Sequence, residues 1–324
     1  MSKLRRLGQT DLYVSALGLG TWQYSTNEGK NGTMWESVEA ETIYDIIKFS
    51  LQNGINWLDT AEIYGNGTSE NFIGNTLQRL KKEAALLREP LIASKWFPLA
   101  RAASSIPKTI DTRLKYLQVP TIDLYQIHQP TSRSSLDKQI EAMVKLAEAN
   151  KIKQIGVSNF TAKQMIKADL LLKERGMTLA SNQVKYNLLH KKPEKNGVLE
   201  AAKELGITII AYSPLQQGLL TGRFHEQPEA LAKISRLRKI QSHLNQKTIK
   251  RTQPLYAELK KLSLEYGVSV AQISLNWLIH SQGSMVLAIP GASKLKQAQE
   301  NIGTLEFTLS NAQLKKLSAI SDCL

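Results

Sequence analysis

Short runs of β-branched residues and leucine alternate along the chain with longer stretches of helical period. The runs are VSALGLGT (14–21), INWLDT (55–60), LIASK (91–95), IDLYQIH (122–128), IKQIGVSN (152–159), LASNQ (179–183), ITIIAYS (207–213) and MVLAIPG (285–291). Between them, segments such as LDKQIEAMVKLAEAN (136–150) place Leu136, Ile140, Met143, Val144 and Ala147 on one helical face. Gly54, Gly176, Gly206 and Gly267 each follow such a segment, where a left-handed C-cap residue is wanted. Ahead of the first run, KLRRLGQTDLYV reads as a β-hairpin turning near Gly8-Gln9. Eight strand–helix alternations without a break in composition predict an α/β fold: a (β/α)8 TIM barrel, one domain over 1–324, with an N-terminal β-hairpin. A doubly wound sheet is the competitor, because periodicity alone does not tell an open sheet from a closed one. No Pro/Gly/Ser-rich linker interrupts the chain, and the longest irregular region is 214–250.

The ends of the runs carry the chemistry. Nearly every run finishes in a polar group: Thr21, Asp59, Lys95, His128, Ser158-Asn159, Gln183 and Tyr212-Ser213. In a barrel these strand ends share one face. Turn residues such as Asn or Ser are ordinary there, whereas lysine and histidine directly after buried runs are not. In GINWLDTAEIYG (54–65), Tyr64 follows Asp59 by a short loop. A phenol is protonated at neutral pH and can donate to an oxygen gaining negative charge. A nearby ammonium is expected to lower the phenol's pKa, a carboxylate to hold that ammonium, and an imidazole to orient the same oxygen. Asp59, Tyr64, Lys95 and His128 together suit reduction of a carbonyl. Side chains do not deliver hydride, so a nicotinamide cofactor is implied.

Composition narrows the field. At 42% hydrophobic and 22% charged residues the chain is that of a soluble globular protein. The N-terminal MSKLRRLGQT has no apolar region behind its arginines, and no run approaches the length of a membrane span. A single cysteine, Cys323, rules out intrachain disulfides and a thiolate metal site, and the expectation is a cytoplasmic protein with no metal. The net charge is +14, with one dense stretch, 233–251, of seven Lys and Arg and no acidic residue. That stretch lacks interleaved aromatics for stacking bases, so a flank for a phosphorylated cofactor is preferred over nucleic-acid binding. GLGTWQ (18–23) begins G-x-G but has Gln23 where a dinucleotide fingerprint needs a third glycine, and the Walker pattern is absent.

Hydride chemistry on a barrel without that fingerprint is a narrow class, and the sequence resembles the aldo-keto reductases from GLGTW through IPGASKLKQAQEN (289–301). The stretch 179–207 looks like the microbial and plant branch, which includes pyridoxal reductases. The resemblance implies that Asp59, Tyr64, Lys95 and His128 are the catalytic residues. It implies NADPH, with Thr21, Trp22 and Asp59 at the first strand ends. Ser158, Asn159 and Gln183 would hold the nicotinamide carboxamide, and Tyr212 would stack on its ring. Ser213, Pro214, Leu215, Gly218, Leu220 and Arg223 would line the pyrophosphate. Gly291, Ser293, Lys294, Gln297, Glu300 and Asn301 would take the adenosine and its 2′-phosphate, with free backbone N–H groups expected at the helix start after GASK. Trp22, Tyr24, Trp35 and Trp96 are candidate walls of a pocket for a small-molecule carbonyl substrate.

The short C-terminus lacks the long loop of steroid-selective members, so no steroid preference is expected. An alternative is a regulatory partner similar to potassium-channel β-subunits, which bind nicotinamide cofactors on this fold. Those carry asparagine where His128 stands, so the complete tetrad favours an enzyme.

Overall fold

Each of the eight apolar runs contributes a strand to one parallel sheet in the computed structural model, which describes residues 4–26, 36–86, 88–236, 239–240 and 243–324. Trp35 and residues 237–238 and 241–242 of the basic stretch lie outside the described residues. Strands β1 (Arg5–Arg6) and β2 (Tyr13–Val14) pair antiparallel as the expected hairpin. The sheet then runs in chain order through β3 (Leu19–Gly20), β4 (Trp57–Asp59), β5 (Leu91–Trp96), β6 (Ile122–Ile127), β7 (Ile152–Ser158), β8 (Leu179–Lys185), β9 (Thr208–Tyr212) and β10 (Val286–Ala288). Parallel bridges Leu17–Ala288 and Gly20–Gly291 join the last strand to the first. The Gly18 N–H donates to the Ala288 carbonyl (2.9 Å) and the Ala288 N–H to the Ala16 carbonyl (3.0 Å). These bonds remove the sheet's free edges and decide for a closed (β/α)8 barrel over an open sheet.

Closure sorts the side chains into two shells by the two-residue period of each strand. Inside the barrel, Trp57, Ala93, Leu124, Ala180, Ile210, Leu287 and Ile289 pack with Leu7 and Val14 of the hairpin. The hairpin thus plugs the end at which the strands begin, leaving the opposite rim for chemistry. Large and small residues alternate in this core. A Cβ on Gly18 would sit 2.3 Å from the Trp57 ring, so glycine there is what admits the indole. Outside the barrel, a much larger cluster packs the strands' other faces against the helices.

The helix of 136–150 is observed as Leu136–Glu148, burying Ile140, Met143 and Val144, with the Ser135 side chain capping its start. Gly54, Gly176, Gly206 and Gly267 all have the positive φ expected after a helix, at 106°, 69°, 65° and 65°. The described residues of 214–250 hold more regular structure than the sequence suggests. Short helical turns Gln216–Thr221, Arg223–Glu226, Pro228–Lys233 and Gln246–Arg251 enclose a small core of Leu219, Phe224, Ala230, Ile234, Leu244 and Ile249. Its apolar residues are spaced too irregularly for one helix and satisfy one another across several turns instead. Among the described residues no helix is long and apolar enough to cross a membrane, and no group of His, Cys, Asp and Glu is arranged to hold a metal.

Candidate active site

Strand register brings the polar strand ends to one rim. Gly20 lies beside Asp59, Lys95 beside Gln126, Gln126 beside Gly156, and Ser158 beside Gln183. Asp59 and Lys95 are 1% and 0% exposed, and the Lys95 Nζ donates to Asp59 Oδ1 (2.6 Å) and to the Thr60 carbonyl (2.8 Å). The other carboxylate oxygen accepts from Gln183 Nε2 (2.8 Å) and more distantly from Gln126 Nε2 (3.4 Å). A carboxylate at the end of an apolar run is therefore neither a simple cap nor unsatisfied. It is the centre of a buried ion pair with amide donors around it, which is what such burial requires. Burial lowers the Lys95 pKa, and Asp59 and Glu70 partly offset that.

Tyr64 and His128 complete the rim. Their ring centroids lie 6.0 Å apart, edge to face, and the Lys95 ammonium lies 5.2 Å from the Tyr64 ring. Burial and the Asp59 carboxylate push the phenol well above its ordinary range. That differs from the expectation of a lowered phenol pKa. The physical reason is that burial disfavours the charged phenolate and the Asp59 carboxylate adds to this, while Lys95 directs its hydrogen bonds to Asp59 and Thr60 rather than to the phenol. Tyr64 is accordingly protonated at neutral pH. Burial and then the Lys95 charge depress the His128 imidazole to about 3, leaving it neutral, and its Nδ1 is buried without a hydrogen-bond partner. The four residues meet at one place.

The residues expected around a nicotinamide form a connected patch beside them. Asn159, with a left-handed φ of 61°, donates through Nδ2 to Ser158 Oγ (3.0 Å) and the His128 carbonyl (3.2 Å). Its Oδ1 accepts from the Tyr212 hydroxyl (3.0 Å), so one amide ties the ends of β6, β7 and β9 together. Thr21 is buried, its hydroxyl donating to the Asp59 carbonyl (2.9 Å). After β9, Ser213, Gln216, Gln217 and Gly218 all have positive φ, while Asn187 Nδ2 bonds the Ser213 carbonyl (2.9 Å) and Gln216 Oε1 (3.1 Å). Pro214 and Leu215 lie within this turn, Leu220 is buried behind it, and Arg223 is exposed at the start of the next helical turn. Left-handed backbone at a non-glycine residue costs about 1–3 kcal/mol and concentrates where a backbone is shaped for a ligand. Such a turn suits the expected pyrophosphate.

At the end expected to take the adenosine, Gly291 lies against the Gln23 side chain and Asn301 is buried, while Glu300 is half-buried. Lys294 is exposed at the start of the helix Leu295–Gly303. Two of the backbone N–H groups expected to be free here, those of Ser293 and Lys294, are engaged. Gln297 Oε1 accepts from the Ser293 and Lys294 N–H groups (2.8 and 3.2 Å) and from the Ser293 hydroxyl (3.2 Å). A side chain in the first turn thus reaches back over the residues that precede the helix, as a capping glutamine does.

Two expected pocket walls are corrected. Trp96 is 0% exposed because it follows Lys95 on β5 and so points to the opposite face, into the helix layer, where its Nε1 donates to Ser105 Oγ (3.1 Å). Tyr24 is likewise 0% exposed and packs in the outer core. Trp22 does reach the rim, its ring centroid 6.2 Å from that of Tyr64 and the two planes inclined by 29°. Phe97, not singled out from sequence, stands edge to face with His128, the ring centroids 5.6 Å apart. Its N–H donates to Glu62 Oε1 (2.5 Å), and Glu62 is paired with Arg101. Gln126 is a further site residue that sequence reasoning missed, although it precedes His128 by two and therefore shares its face.

With this geometry in place, the family model described as aldo/keto reductase matches residues 16–322, and the chain belongs to that family. An uncharacterised oxidoreductase of Mycobacterium tuberculosis is 34% identical over 299 residues, covering 92% of this chain and 86% of its own. The chloroplastic pyridoxal reductase of Arabidopsis thaliana is 28% identical over 317 residues, covering 94% and 83%. Among solved structures, the glycerol dehydrogenase of Gluconobacter oxydans superposes with a TM-score of 0.80 at 27% identity, over 98% of this chain and 94% of that one. The chain is an oxidoreductase by family.

Proposed function

We propose that the chain, as a single barrel domain over 1–324, reduces an aldehyde or ketone to its alcohol with NADPH. The observation that carries this reading is the buried Lys95–Asp59 pair with Tyr64 and His128 converging over it. The residues present fit a nicotinamide cofactor. The Ser158–Asn159–Gln183 patch offers amide and hydroxyl groups to a carboxamide, and the left-handed turn at 213–218 suits a pyrophosphate. A fission-yeast relative, 30% identical, is named as an NADP(+) aldo-keto reductase, which supports the same cofactor.

NADPH, when bound, supplies the hydride. The chain's own groups do the rest. Tyr64, kept protonated by burial and by Asp59, donates its proton to the carbonyl oxygen as negative charge develops there. The Lys95 ammonium stands beside the phenol and stabilises the tyrosinate left behind. Asp59, braced by Gln183, fixes that ammonium. His128 is neutral, so it orients the carbonyl by hydrogen bonding without competing as an acid. Trp22 and Phe97 flank the Tyr64 and His128 rings and favour substrates with a flat apolar body.

The test is a panel of pyridoxal, methylglyoxal, aromatic aldehydes and aldoses followed by NADPH absorbance. Reduction of one or more carbonyls above the enzyme-free rate is expected. Tight NADPH binding with no turnover on any of them would favour the regulatory reading instead.

A further inference from the structure

Behind the barrel wall, on the side away from the substrate, lies a second buried carboxylate that the chemistry above does not use. Ser69 and Glu70, in the first turn of the helix Thr68–Lys82, are both 0% exposed. Ser69 Oγ donates to the Thr21 carbonyl (3.0 Å) and lies 2.8 Å from the Thr21 hydroxyl, and it accepts from the Thr60 hydroxyl (3.0 Å). Thr21 in turn holds the Asp59 carbonyl, and the Thr60 carbonyl holds Lys95. Glu70 accepts from Ser94 (2.7 Å), the residue before Lys95 on β5, and pairs with Arg113 (3.0 Å), itself 6% exposed. One helix start thus grips the ends of β3 and β4 and the strand that carries Lys95.

We propose that Glu70 is a positioning residue for the site: it seats β5 through Ser94 and supplies a second negative charge that keeps the buried Lys95 ammonium ionised. The proposal rests on the function assigned above only for its kinetic consequence. Two buried cations, Lys95 and Arg113, face two buried carboxylates, Asp59 and Glu70. Removing either carboxylate leaves the cations in excess in a medium that penalises charge. The groups that act on Glu70 are Arg113 from the helix Ser105–Leu117, Ser94 and Lys95 from β5, and Glu62 from the loop after β4. Tyr125 of β6, whose hydroxyl is buried without a partner, feels the charges of Glu62 and Glu70. Burial raises the Glu70 carboxyl to about 7 against the pull of Arg113 and Ser94, so its charge on Lys95 grows in as pH rises through about 7 and is present in the alkaline range where a lysine titrates. A unit charge on the order of 10 Å away, at an effective dielectric of about 20, moves a pKa by about one unit.

The experiment follows the Lys95 side-chain signal by NMR in protein carrying carbon-13 lysine, assigned as the signal missing in Lys95→Met. Glu70→Gln is expected to lower the Lys95 pKa by about one unit and to move the alkaline limb of carbonyl reduction down with it. Glu70→Asp keeps the charge and is expected to leave the Lys95 pKa nearly unchanged even where it lowers the melting temperature. A Glu70→Gln protein that melts earlier but keeps the wild-type Lys95 pKa would overturn the proposal. Where Glu70→Gln does not fold, the same comparison is made between Glu70→Gln/Arg113→Met and Arg113→Met alone. The NMR titration needs no turnover, so it tests the role of Glu70 even in a protein that reduces no carbonyl.

Discussion

Lys95→Met removes a cation from a place where its absence leaves a carboxylate 1% exposed, with only Gln183 and Gln126 still donating to it. Breaking a buried pair on one side costs about 3–5 kcal/mol, far above the 0–1 kcal/mol of a surface pair. At roughly 2 °C per kcal/mol for a chain of this size, the melting temperature should fall by about 6–10 °C. Asp59→Asn alone should also destabilise, because it leaves the buried ammonium with neutral acceptors in place of its carboxylate. The double variant Asp59→Asn/Lys95→Met removes both charges and should recover much of the loss, giving a coupling of about 2 kcal/mol or more. The pH dependence adds a sign. Burial lowers the Lys95 pKa below 10.5, so between that lowered value and 10.5 the unfolded chain binds more protons than the folded one. Stability contributed by this group therefore rises with pH across that window, and Lys95→Met should lack the rise. Denaturant unfolding of the cofactor-free protein, followed by fluorescence and circular dichroism together, measures both effects. Single variants within about 1 kcal/mol of wild type, with additive double-variant losses, would refute a buried and energetically coupled pair.

Other consequences are separable. The His128 imidazole titrates at about 3 rather than 6.5, so wild-type stability should fall as pH drops through that window, and His128→Asn should show a flatter acid side in the same unfolding assay. Lys294→Met should weaken NADPH about ten- to a hundredfold, as expected for loss of a charge-assisted contact of roughly 1.5–3 kcal/mol, and barely change NADH. Equal weakening of both in a fluorescence titration would remove Lys294 as the 2′-phosphate ligand. Residues 214–250 are expected to fold over the bound pyrophosphate, so NADPH should slow hydrogen exchange there more than in the outer helices. Equal protection with and without it would dismiss the flap.

Strand parity made most of the site readable. Asp59, Lys95 and His128 end apolar runs, and their inward orientation follows from the same alternation that buries Leu124 and Ile210 inside the barrel. The same rule places Trp96 outside once Lys95 is inside, so its position in the helix layer is legible from the strand alone. The Gln297 cap is also written locally, as a glutamine three residues after the helix boundary. The barrel was expected from the eight alternations, but periodicity alone did not decide closure over an open sheet, because closure rests on Leu17–Ala288 and Gly20–Gly291 bridges between distant parts of the chain. The charge balance around Lys95 was hidden for the same reason. Glu70 and Arg113 lie on different helices, each in an ordinary amphipathic pattern, and only the packed structure shows that both are buried.

The central claim is that Tyr64 is the acid of a hydride-transfer reaction at this rim, and single-turnover oxidation of bound NADPH by an aromatic aldehyde tests it most directly. Tyr64→Phe should bind NADPH as wild type does but oxidise it at least ~10²-fold more slowly, the usual contribution of a positioned general acid. A Tyr64→Phe protein that oxidises NADPH within a few-fold of the wild-type rate would contradict the claim.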